Sequence, residues 1–178
     1  MIGNFYNDGR DQLTICKALP ELFKKYPYLH FVFVGGRSPR FPQYYDNCYN
    51  YCKENSILTK THFVGNRSDI NNILHSLDVY VYSSNHDSFG ISVIEAMIVG
   101  LPIIINDLSS LLEITNEGKC AQVFKTKDEK SLFAAISQIL DCVKERENIS
   151  KAGQKWALDN FTIDKYIKNL QLLYKSLL

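Results

Sequence analysis

Short apolar runs alternate along the chain with longer stretches in which apolar residues recur every three or four positions. The runs fall at 1–3, 29–34, 61–64, 78–82, 103–105 and 121–125, and several are closed by glycine: Gly35 and Gly36 after the second, Gly65 after the third. These read as strands. Between them, 11–26 reads as a helix with Leu13, Ile15, Ala18, Leu19 and Leu22 inward, kinked or divided by Pro20. Further helices are predicted over 43–55, over 69–76 with Ser68 as its cap, from about Phe89 to a stop at Gly100, and over 109–115, 128–143 and 149–160. A last one, 163–178, carries Ile167, Leu170, Leu173 and Tyr174 at helical spacing. Buried-looking strands alternating with amphipathic helices predict an α/β fold, a doubly wound parallel sheet with helices on both faces. The chain reads as one domain over 1–178 with a helical C-terminal extension from about 145. In such folds ligands bind at the carboxyl ends of strands, which selects the loops 4–10, 35–36, 65–67 and 83–90.

Composition narrows the class. With 178 residues, 46% of them hydrophobic, the chain can build one substantial core. A formal net charge of +1 gives no footprint for nucleic acid and no polybasic tail for a membrane surface. Glu95 and Pro102 interrupt the longest apolar run, so no membrane span is expected, and Asn4, Asp8 and Arg10 stand where a leader's apolar core would lie. Cys16, Cys48, Cys52, Cys120 and Cys142 are odd in number and scattered, the pattern of a reducing, cytoplasmic compartment. Cys48 and Cys52 share a helical spacing, but no second Cys or His pair accompanies them to hold a metal.

The candidate chemistry lies in 84–105. Between positions 88 and 105 the single charged side chain is Glu95. A carboxylate in so apolar a segment is expected to be at least partly buried, and then needs either an internal partner or a ligand rich in donors. Asp87 lies eight residues earlier, about 12 Å along a helix axis, with the N–H groups of the helix N-terminus between the two. A ligand with hydroxyls at both ends and phosphates in the middle fits that spacing, and a nucleotide-sugar has that shape. A buried, internally paired Glu beside an N-terminal Asp satisfies the same spacing without any ligand.

Ser84-Asn85-His86-Asp87-Ser88-Phe89-Gly90, followed by Glu95-Ala96-Met97 and Gly100-Leu101-Pro102, resembles the donor-binding, C-terminal half of a GT-B glycosyltransferase of the retaining group called glycosyltransferase family 4. The resemblance continues through Phe63-Val64-Gly65 with Asp69-Ile70, and through Glu113-Ile114 and Gly118. It implies one Rossmann-like half of that fold. It also implies that Glu95 takes ribose hydroxyls and Asp87 hydroxyls of the transferred sugar. The segment Ser84, His86, Ser88, Phe89, Gly90 and Ile91 then holds phosphate and sugar oxygens. Gly65, Asn66 and Arg67 would meet the base. Gly3 and Asn4 of the first loop, with Arg10, would meet the diphosphate. Two positions depart from the family pattern. Asp87 replaces the usual Glu, one methylene shorter, and Asn4 occupies the place of an Arg, leaving Arg10 to stand in for the usual Lys.

The reaction implied by this resemblance is transfer of a sugar from a nucleoside diphosphate, a UDP-sugar first, to an acceptor hydroxyl with retention at the anomeric carbon. Arg10 and helix N–H groups would stabilise the leaving diphosphate without a metal or other cofactor. The partners implied are the nucleotide-sugar and an N-terminal acceptor-binding half, which this chain lacks and which would bring the enzyme to the inner membrane face. The setting would be surface polysaccharide or glycolipid assembly, with little activity for the isolated half. A non-catalytic interaction module derived from such a domain is the alternative. A nicotinamide-dependent dehydrogenase is disfavoured, because no Gly-x-Gly-x-x-Gly follows the first strand.

Overall fold

The computed structural model describes residues 1–6 and 9–177. Thirteen elements are defined there: α1 (Gln12–Lys25), β1 (Phe31–Phe33), α2 (Gln43–Glu54), β2 (Thr61–Phe63), α3 (Ile70–His75), β3 (Tyr80–Tyr82), α4 (Ile91–Ile98), β4 (Ile103–Asn106), α5 (Ser109–Ile114), β5 (Gln122–Phe124), α6 (Glu129–Asp141), α7 (Val143–Asn160) and α8 (Ile163–Ser176). The predicted loop over 4–10 and the last residue of the predicted final helix, Leu178, fall partly outside the described residues.

Among the described residues the ladders between named strands are parallel, and one isolated bridge, Arg10 with Ser84, is antiparallel. β1 pairs with β2, Phe31 opposite Thr61, and β4 lies between β3 and β5, Ile104 opposite Val81 and Gln122. The first predicted strand survives as two isolated parallel bridges, Ile2 with Val34 and Phe5 with Arg37, and Ile2 N donates to the Tyr80 hydroxyl at 3.3 Å. The two-stranded sheet of β1 and β2 and the three-stranded sheet of β3, β4 and β5 therefore meet at the N-terminal segment. Every residue of β3 and β4 is buried. Successive strand residues face opposite sides, so unbroken burial means that both faces of the sheet are covered. α4, α6 and α7 all pack on β4; α1 packs on α6 and α2, and α4 on α7.

Local chemistry explains the helix starts. Asp11 accepts from Thr14 N at the head of α1, and Asp128 accepts from Lys130 N and Ser131 N at the head of α6. Pro20 is tolerated inside an unbroken α1. α3 corrects the expected cap: Asp69, not Ser68, takes the N-cap position, and its carboxylate is bonded to Arg67 rather than to the helix. α7 starts six residues earlier than predicted, at Val143, because its first turns are polar and carry no apolar stripe to announce a helix. The expected extension from about 145 thus begins inside α7. α8 buries none of its residues, and Ile163, Tyr166, Ile167, Leu173, Tyr174 and Leu177 are all exposed. Tyr45, half-buried, and Tyr49, exposed, pack edge-on against Phe63 from α2. Among the described residues, no helix is long and apolar enough to cross a membrane.

Candidate active site

The loops that leave the carboxyl ends of the strands are bound to one another. Asn85 N and His86 N donate to Gly9 O at 2.8 and 3.2 Å, and Asp11 N donates to Ser83 O at 3.1 Å. Asn4 Oδ1 accepts from Gly36 N at 2.8 Å, and Gly65 O from Gly35 N at 2.9 Å. Two adjoining clefts result. One, of about 420 Å³, is lined by Asn4, Tyr6, Gly9, Arg10, His86, Asp87 and Ser88. The other, of about 390 Å³, runs over Gly3, Asn4, Tyr6, Gly35, Asn66 and Arg67. Asn4 and Tyr6 line both and so join them.

Asp87 is the most heavily bonded side chain of the first cleft. Its Oδ1 accepts from Phe89 N and Gly90 N, at 3.2 and 3.1 Å, and so closes the turn into α4. Its Oδ2 accepts from Arg10 Nη1 at 2.6 Å and from the Tyr82 hydroxyl. Burial alone pushes the Asp87 carboxyl up, but the bonds from Tyr82, Phe89 N and Gly90 N and the Arg10 charge outweigh it and hold the group below the usual range. Tyr82 is wholly buried, and burial together with the neighbouring Asp87 carboxylate drives its hydroxyl far up, so it remains a donor. The Arg10 guanidinium stacks over the Tyr82 ring at 5.1 Å.

The N–H groups of Phe89 and Gly90, expected to be open to a phosphate, are thus engaged by Asp87. The structure also corrects the expected burial of Glu95. Its side chain is exposed on α4, and it makes no hydrogen bond or ion pair among the described residues. It lines neither cleft, but shares a helix face with Ser92, three residues earlier, whose hydroxyl reaches Ile2 O at 3.4 Å beside the second cleft. Ser84 is corrected too: it is wholly buried, its hydroxyl donates to Gly9 O and His86 O, and it braces the cleft floor from below. Arg67 pairs with Asp69 at 2.7 Å. Phe89 and Ile91 are exposed and line neither cleft, and Phe89 meets Phe161 edge-on at the junction of α7 and α8. Among the described residues, no group of three or more His, Cys, Asp or Glu is placed to hold a metal ion.

Three contributors escaped the sequence reading. Tyr6 lines both clefts. Tyr82 holds Asp87. Asn106, wholly buried, accepts from Ser84 N and donates to Ser84 O and Thr126 Oγ1, which fixes the loop after β3. The signal for Tyr82 was present: Tyr80 and Tyr82 point to one face of an otherwise apolar strand, and a buried phenol needs a partner.

A parallel α/β sheet with paired clefts at the carboxyl ends of its strands is the arrangement in which open α/β folds hold their ligands. The chain belongs to the group 1 glycosyl transferases: the profile of the family described as "Glycosyl transferases group 1" matches residues 2–156. It is 31% identical over 150 residues to an N,N'-diacetylbacillosaminyl-diphospho-undecaprenol alpha-1,3-N-acetylgalactosaminyltransferase of Campylobacter jejuni, an alignment covering 83% of this chain and 38% of that protein. Among solved structures, it resembles Anabaena HepE in complex with UDP and glucose, with a TM-score of 0.88 at 18% identity over 98% of this chain and 48% of that one. It also resembles the C-terminal domain of a group 1 glycosyl transferase family protein, LpcC, from Francisella tularensis (TM-score 0.81, 21% identity, 91% of this chain and 85% of that one). The chain spans 34–38% of the length of the first curated relatives it matches.

Proposed function

We propose that this chain is the donor-binding, C-terminal half of a retaining GT-B glycosyltransferase of the family 4 group. It binds a nucleoside-diphosphate sugar, a UDP-sugar first, as one domain across 1–178. The observation that carries the reading is the pair of clefts joined at Asn4 and Tyr6, with Arg10, His86, Asp87 and Ser88 around one and Gly3, Asn66 and Arg67 around the other. The base lies over Asn66 and Arg67, the diphosphate beside Asn4 and Arg10, and the sugar against Asp87, His86 and the turn Ser88, Phe89, Gly90 and Ile91. Glu95, exposed and without a bonded partner among the described residues, is open to the ribose hydroxyls. In the transfer, the bond between the anomeric carbon and the diphosphate oxygen breaks and a bond to the acceptor oxygen forms, while the acceptor proton leaves. Arg10 favours that step by holding negative charge as it develops on the leaving group, with no cofactor required of this chain.

The acceptor belongs to the other half of the enzyme. The span of under half of its relatives and the match to an isolated C-terminal domain support that assignment. The exposed apolar face of α8 is the surface on which that half would pack, and through it the enzyme would sit at the cytoplasmic face of a membrane. By analogy with the Campylobacter relative, the acceptor is a surface glycan or lipid-linked saccharide. The test is titration of the Glu95→Ala variant with the nucleotide-sugar that the parent chain binds. Binding at least tenfold weaker with unchanged thermal unfolding is expected, since a carboxylate bonded to vicinal hydroxyls contributes about 1.5–3 kcal/mol. Undiminished affinity would sink the assignment of Glu95. Partner binding with no nucleotide dependence would instead favour a non-catalytic module.

A further inference from the structure

Asp87 cannot meet a sugar hydroxyl in its present state without losing a partner. Both oxygens are engaged, Oδ1 by two backbone N–H groups and Oδ2 by Arg10 and Tyr82, and the side chain is only 8% exposed. The partners differ in freedom. Phe89 N and Gly90 N are fixed by the turn into α4. Tyr82 is wholly buried in β3, its ring against Tyr80, and has nowhere to go. Arg10 is the exception: its side chain is 31% exposed, it lines the first cleft, and it reaches Asp87 through a single nitrogen. A guanidinium makes a better, two-pronged bond to a phosphate than a one-pronged bond to a carboxylate.

Resting on the donor-site reading above, we infer that Tyr82 is a positioning residue that keeps Asp87 in place while Arg10 exchanges from Asp87 to the diphosphate. The exchange uncovers an Asp87 lone pair for a hydroxyl of the donor sugar. In the empty site Arg10 and Asp87 neutralise each other. The entering diphosphate draws Arg10 away, and the carboxylate, still held by Tyr82 and the two N–H groups, turns from a partner of Arg10 into an acceptor for the sugar. Diphosphate and sugar recognition are thereby coupled through one side chain, and the shorter Asp suits this arrangement because Tyr82 supplies the support from below.

The experiment uses the chain itself, with UDP, GDP and ADP as probes in calorimetric titration, and three variants: Asp87→Asn, Tyr82→Phe and the double substitution. Asn keeps an oxygen for Phe89 N and Gly90 N but releases Arg10, so nucleotide affinity rises about threefold, the scale of a partly exposed ion pair. Removing the Tyr82 hydroxyl leaves Arg10 as the one side-chain donor on Asp87, tightens the pair, and lowers affinity by about the same factor. Because Tyr82 acts through Asp87, the double variant binds as Asp87→Asn does. A crystal structure with the bound diphosphate then has Arg10 parted from Asp87 and Tyr82 still on it. A Tyr82→Phe loss that persists undiminished in the double variant overturns the inference, as does a bound diphosphate with Arg10 still on Asp87. Binding of none of the three diphosphates overturns the donor-site reading and this inference with it.

Discussion

Replacing Gly90 with Ala tests the geometry on which the candidate site is built. Gly90 sits at the N-cap of α4 with φ +72° and ψ +46°, in the left-handed region, where an L side chain costs about 1–2 kcal/mol. A Cβ there would stand 3.0 Å from both Ile114 Cδ1 and Leu111 Cδ2. Both residues are buried in the core, so the neighbours must shift within a packed interior, at about 1–3 kcal/mol. Lower chain entropy in the unfolded state offsets about 0.4–1 kcal/mol. The net loss is about 2–4 kcal/mol, or roughly 5–12 °C in Tm for a chain of this size. Urea unfolding followed by circular dichroism measures it, with an unchanged m-value expected. Gly65→Ala is the control: φ is +68° there too, but the space for a Cβ is open, so only the backbone cost applies, about 1 kcal/mol. Equal losses at the two positions would refute the packing argument, and a loss below about 0.5 kcal/mol at Gly90 would refute the turn geometry itself.

Other positions give independent checks. Asn106→Ala removes three hydrogen bonds around Ser84 and Thr126 and leaves buried groups unpaired, which should cost about 2–4 kcal/mol in urea unfolding and loosen the loop after β3. The Asp87 carboxyl is held below its ordinary value in the folded chain, so its stabilising contribution is complete above the unfolded pKa of about 3.9 and disappears as pH falls through the folded value. Asp87→Asn should therefore flatten the acid limb of the stability curve below about pH 4, measured by unfolding at a series of pH values; an unchanged limb would contradict the Asp87 bonding pattern. α8 buries none of its residues, so limited proteolysis should cut there before it cuts β3 or β4, and Ile167→Lys should change global stability by less than about 0.5 kcal/mol.

The alternation of apolar runs and amphipathic stretches made the parallel sheet and its ligand-bearing end legible, because burial on both faces writes itself as continuous apolar strands. β3 and β4 show this most clearly. The strand over 29–34 was overextended at its start, since apolar character begins before the first ladder residue, as at Leu29. The start of α7 was illegible for the opposite reason: a solvated helix turn has no apolar stripe. In the site, the sequence identified the residues but not their state. Asp87 was visible as a carboxylate at a helix start, yet its engagement by Arg10 depends on a contact across 77 positions, which spacing cannot express. Glu95 misled because an apolar neighbourhood in sequence was equated with burial. On α4, Ile91 and Glu95 lie one turn apart on the same exposed stripe, and Val93, Ile94, Ala96 and Met97 take the interior.

The central claim, that the paired clefts take a nucleoside-diphosphate sugar, is tested most directly by calorimetric titration of this chain with a panel of UDP-, GDP- and ADP-sugars. The account predicts saturable, one-to-one binding selective for one base, UDP first, and weakened by Glu95→Ala. Absence of binding across the whole panel by a folded chain would contradict it.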